Sequence, residues 1–203
     1  IDTFFKAEYI IAKFTLEGLL NKESIKIRMA YVGNARMNLV LEDRFLENGV
    51  RDPHDNLSRI FRIEKPETHK EPSPDEIFRI SNVEISDMAF TLTNRSTNKT
   101  PYYGGINWND LDISSIDLNA RGLRFEDGIM YGRAESLSFK EKSGFICHNI
   151  AGEARVGRGR TIVENLSISD ELSDIRLPLF MMSYSGIKDF SDFINKVRLD
   201  ATI

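Results

Sequence analysis

From residue 77 onward apolar residues recur at every second position, and that alternation constrains the fold more than any other feature of the chain. Phe78 and Ile80 alternate, then Val83 and Ile85, then Met88, Phe90 and Leu92. Leu111 and Ile113, Ile116 and Leu118, Leu123 and Phe125, Ile129 and Tyr131, and Leu137 and Phe139 follow. Phe145 and Cys147, Ala154 and Val156, Leu166 and Ile168, then Ile175, Leu177 and Leu179 complete the series. A period of two places one side-chain set on one face of a strand. Turn signals separate the runs: Asn94 to Asn98, Glu126-Asp127-Gly128, Lys142-Ser143-Gly144 and Gly157-Arg158-Gly159. Strands so spaced predict an antiparallel meander over 77–203, closed near 187–197 by a short helix carrying Ile187, Phe190, Phe193, Ile194 and Val197 on one face.

The alternation also slips. Ile80 to Val83 and Ile85 to Met88 are steps of three, and so is Ile113 to Ile116. A one-residue slip turns the apolar set to the other face unless a bulge or bend restores it. The slips therefore predict bends in a strongly twisted sheet.

Residues 1–50 read as a strand (Phe4 to Phe14), a helix around Leu16 to Lys22, and a hairpin. In that hairpin Ile25, Ile27 and Met29 turn at Gly33-Asn34 into Met37, Leu39 and Leu41. Residues 51–76 form a polar insertion, with a short helix after Asn56 and the Pro66, Pro72 and Pro74 linker. The chain opens on Ile1, not methionine, and Ile203 lies in an apolar-rich run, so a piece cut from a longer chain is expected.

Composition excludes several classes of protein. With 41% apolar residues among 203, the chain buries enough surface to fold. A formal charge of −4 lacks the basic excess of a nucleic-acid binder, so no nucleic-acid partner is expected. One cysteine rules out an internal disulfide framework. No apolar run reaches the 18 or so residues of a membrane helix.

Catalytic signals are lacking. His54, His69 and His148 have no metal-ligand spacing. Cys147 and His148 are adjacent on a strand and face opposite ways, so Cys147 reads as a small buried hydrophobe. Gly157-Arg158-Gly159-Arg160 precedes β residues, not a helix, so it reads as a hairpin turn and not a phosphate loop. No Gly-x-Ser-x-Gly elbow occurs. The expectation is a non-enzyme with no cofactor and no metal. Tyr102-Tyr103-Gly104-Gly105-Ile106-Asn107-Trp108 is an aromatic loop that reads either as a sugar platform or as a cap on a sheet edge.

Several segments resemble a known family. Ile106-Asn107-Trp108-Asn109-Asp110-Leu111-Asp112-Ile113 and Leu137-Ser138-Phe139-Lys140-Glu141-Lys142-Ser143-Gly144-Phe145 are similar to the AsmA-like region of TamB-type translocation and assembly proteins. The opening strand and helix, Phe78 to Ile85, and Phe190 to Val197 have the same character, so the resemblance covers nearly the whole chain. It implies an elongated, curled antiparallel β-sheet forming an open trough, with two or three short helices. It also implies a periplasmic segment of an inner-membrane-anchored protein of a diderm bacterium. Such proteins are thought to move phospholipid between the two membranes or to assist outer-membrane assembly with a barrel partner, which here would be met through regions outside this chain. On that reading phospholipid acyl chains are the partner, and Phe78, Ile80, Phe90, Leu118, Phe125, Phe139, Leu177 and Leu179 line the groove. The same alternation also builds a closed β-sandwich core. The alternative function is a carbohydrate- or protein-binding β domain of the cell envelope.

Overall fold

Ten strands hydrogen-bond into one sheet among the residues described by a computed structural model, which are 3–16, 25–45, 51–55, 78–95, 105–157, 159–185 and 193–202. The strands are β1 (Phe5–Phe14), β2 (Ile25–Phe45), β3 (Arg51–Asp55), β4 (Phe78–Asn94), β5 (Asp110–Glu126), β6 (Ile129–Glu141), β7 (Ile146–Val156), β8 (Arg160–Asp170), β9 (Asp174–Ser183) and β10 (Arg198–Thr202). Their order is β1-β2-β4-β5-β6-β7-β8-β9-β10, with β3 paired beside the end of β2. The sheet is open and curled, and the protein is mainly β. One short helix, α1 (Phe193–Lys196), lies within the helix expected over 187–197. The helices expected at Leu16 to Lys22 and after Asn56 fall largely or wholly outside the described residues, as do Tyr102 and Tyr103.

Two sequence expectations are corrected. No hairpin turns at Gly33-Asn34; β2 runs through it as one strand of 21 residues. Its hairpin partner is β3, which takes 51–55 out of the expected insertion and into the sheet. Second, β2 and β4 pair in parallel, so the sheet is mixed, with antiparallel pairing elsewhere. Alternation fixes which face a side chain takes but carries no strand direction.

Most of the slips share a backbone cause. Asn34, Asp87, Ser115 and Asn165 have φ of 49°, 51°, 50° and 52°, in the left-handed region. Each sits inside a three-residue apolar step: Val32 to Ala35, Ile85 to Met88, Ile113 to Ile116 and Val163 to Leu166. A left-handed residue adds one odd step, and the apolar set returns to its face. Gly122, at φ 63°, does the same between Ala120 and Leu123. Asn34 falls opposite Asp87, and Ser115 precedes the partner of Met88, so three strands bend along one line. Hydrogen bonds fix that line: Asn34 donates to Glu8 Oε2 at 2.6 Å, and the Asp87 amide donates to Asp117 Oδ1 at 3.0 Å. Ile80 to Val83 makes the same step with no positive φ.

Candidate functional site

Cross-strand partners share a face, so the register alone sorts every paired residue. One row reads Ile10, Val32, Ile85, Leu118, Leu137, Ile150, Ile168, Ile175, across eight strands without a polar member. A second reads Ala12, Ala30, Val83, Ala120, Ala134, Gly152. A third begins Phe14, Ile27, Ile80, Leu123 and resumes on β6 to β9 as Gly132, Ala154, Val163, Phe180. A row of small residues therefore runs between two rows that are mostly large. At the strand ends Ile25, Phe78, Phe125, Met130 and Val156 form a further apolar row, in which the Phe78 and Phe125 rings stack at 6.2 Å.

Among the described residues no second layer seals this face. Every element pair with more than marginal contact is a hydrogen-bonded strand pair. Among the described apolar residues only Ala35, Leu111, Cys147, Leu166 and Val197 are buried. The large side chains of the rows are half-buried or exposed, up to 66% for Ile10 at the β1 margin.

Of the residues expected to share one surface, Phe78, Ile80, Phe90, Leu118, Phe125, Phe139 and Leu177 lie on the apolar face. Phe90 stands between Met37 and Ile113, Phe139 opposes Cys147, and Leu177 opposes Leu166. Leu179 does not join them. It pairs with Glu164, which pairs with Glu153, and both belong to the charged face. The strand slips at Pro178, so Phe180, opposite Val163, takes the apolar position instead. Sequence reading missed Ile85, Leu123, Leu137, Ile150 and Ile168 as members of the continuous rows. Aligning the slips of neighbouring strands would have found them.

The opposite face is charged. Its ion pairs include Arg133–Glu153 at 2.9 Å, Arg155–Glu164 at 2.7 Å and Arg124–Glu126 at 3.3 Å, with Arg124 also over the Tyr131 ring at 4.1 Å. Exposed pairs of this kind add little stability but keep the face wet.

The remaining chemical candidates are placed as follows. Cys147 is 1% exposed; burial, followed by the Asp170 charge, pushes its thiol up, which disfavours the reactive thiolate. His148 is exposed. The Gly157 amide donates to the Arg160 carbonyl at 2.8 Å, closing the β7–β8 hairpin. Trp108 is 57% exposed at the entrance to β5. Glu141, 4% exposed, opposes Ile113 at one end of the apolar face. Burial opposes its charge, yet hydrogen bonds from Ser143 and the Asp112 backbone, with Lys142 nearby, hold its carboxyl below the usual value. Its Oε2 accepts from the Ser143 amide at 2.7 Å, and its Oε1 has no partner among the described residues. Among the described residues no group of three or more acidic, histidine or cysteine side chains is arranged to hold a metal ion, and no helix is long and apolar enough to cross a membrane. No family model, curated protein or solved structure matches the chain.

Proposed function

We propose that the chain is a non-catalytic periplasmic segment of an AsmA/TamB-like envelope biogenesis protein. On this reading its apolar sheet face carries phospholipid acyl chains between the inner and outer membranes, or serves outer-membrane protein assembly. One observation carries the reading: an apolar row that crosses eight strands with no polar member and, among the described residues, no covering layer. Seven strand spacings of ~4.8 Å make that row about 34 Å long. The hydrocarbon of one bilayer leaflet is roughly 15 Å deep, so a tail fits along the row with length to spare. Each methylene removed from water contributes about 0.8 kcal/mol. The small row beside it gives the tail a low line to lie in, and the direction of travel is across the strands. A headgroup stays in solvent throughout.

The test is photocrosslinking in the native host, with the photoreactive residue placed at Phe90, Phe125 or Leu177 on the apolar face and at Ser138 or Arg176 on the charged face. Phospholipid adducts are expected from the first set and not from the second. Adducts from neither set, with adducts from a control position elsewhere in the parent protein, would remove the lipid reading. Adducts restricted to proteins would favour the assembly role.

A further inference from the structure

The charged face carries three cations that its ion pairs among the described residues do not answer. One of them, Arg121, opposes Arg133 as a direct cross-strand partner. Like charges directly opposite repel and weaken a sheet. Arg124 is answered by Glu126 and Tyr131, and Arg133 by Glu135 and Glu153. The side chains of Lys13, Arg28 and Arg121 have no ion-pair or hydrogen-bond partner among the described residues. These three line a single hollow of about 650 Å³ on that face. Asn82, the direct partner of Arg121, lies in its wall, and its amide is held by the Arg28 carbonyl at 3.2 Å. Two carboxylates also line it: Glu135 is engaged by Arg133, and Glu84 stands beyond Asn82 on the same strand.

We propose that this hollow binds a phosphate-bearing anion, with Arg28, Arg121 and Lys13 as its charge partners. Three unanswered cations around one cavity concentrate positive potential, and a recess focuses it. Guanidinium forks match the oxygens of phosphate, two bonds at a time. The volume falls within the ~300–1,000 Å³ of small-molecule sites, far larger than a lone halide needs. Phe14, Val83 and Ala120 of the apolar rows also border the hollow, but its charge partners are not members of those rows, so its test does not depend on the acyl-chain reading. The phosphate can belong to a lipid headgroup or to a soluble ester.

Titration calorimetry of the chain at low salt, with sodium pyrophosphate as the probe, tests the site. Binding is expected, weakened about tenfold or more in Arg121→Gln and in Arg28→Gln, since each removes a charge-assisted contact. Arg160→Gln, on another part of the sheet, should bind as the wild type does, and Glu84→Gln should bind more tightly. Circular dichroism checks that each variant keeps its strands. Sedimentation with vesicles of phosphatidylcholine containing phosphatidic acid identifies the source: pelleting that pyrophosphate reverses assigns a headgroup, and pyrophosphate binding without pelleting assigns a soluble phosphate. Absence of pyrophosphate binding, or equal affinity in the wild type, Arg121→Gln and Arg28→Gln, overturns the proposal.

Discussion

Single residues set where this sheet bends. Ser115 holds φ 50°, a conformation that Gly, and after it Asn or Asp, adopts at lower cost than Ser. Replacing Ser115 with Gly should raise stability in urea denaturation by about 0.5–1 kcal/mol, and Ser115→Val should lower it by about 1–2 kcal/mol. A rise for Val would mean that the bend is not needed. Glu141 is the second residue-scale test. Its folded carboxyl titrates below its ordinary value of 4.5, so its contribution is present above that pH and fades as pH falls through the lowered value. Glu141→Gln should flatten the acid limb of the stability curve below pH 4.5 while leaving the slope at higher pH unchanged. An unchanged acid limb would show that the buried carboxylate does not titrate in this range. At this scale the sequence was legible for Cys147, whose alternation with Phe145 already put it on the inward set. It misled at Leu179, because Pro178 shifts the phase and no neighbouring residue type announces it.

At the scale of strands, the three-residue steps at Ile85–Met88 and Ile113–Ile116 were readable as bends, and the left-handed residues between them explain why. Long strands were harder to see. Asn34 has the residue type of a turn, yet here it bulges a strand that continues for eleven residues beyond it, because β4 pairs with that strand from Ile25 to Leu41. The parallel β2–β4 pair was not legible at all, since period-two patterning is the same in both directions. Gly152 offers a test of how closely strands meet. A Cβ there would lie 2.9 Å from Val163 Cγ1 and 3.3 Å from the Leu166 Cα, so neither neighbour can yield freely. Gly152→Ala should cost about 1–3 kcal/mol of stability by thermal or urea unfolding. A neutral result would place β7 and β8 farther apart than their register implies.

For the whole molecule, one uncovered face predicts an unusual mutational profile. Leu118 is central in the longest apolar row yet only half-buried, whereas Leu166 is 7% exposed. In a closed core both would lose about 2–5 kcal/mol on truncation to Ala. Here Leu166→Ala should approach that range, and Leu118→Ala should cost less, about 1–2 kcal/mol, because part of Leu118 stays in water and its truncation leaves an open notch, not a closed cavity. Equal large losses would indicate that something covers the face. The contact pattern carries a last implication. Among the described strands nearly all contact is with hydrogen-bonded neighbours, so stability accumulates piece by piece, as in a stack of repeats. Removing a hairpin from the middle of such a stack, or splicing in another, would shorten or lengthen the ribbon while sparing every other junction. Length becomes something evolution can adjust in increments of one strand pair, roughly 9–10 Å.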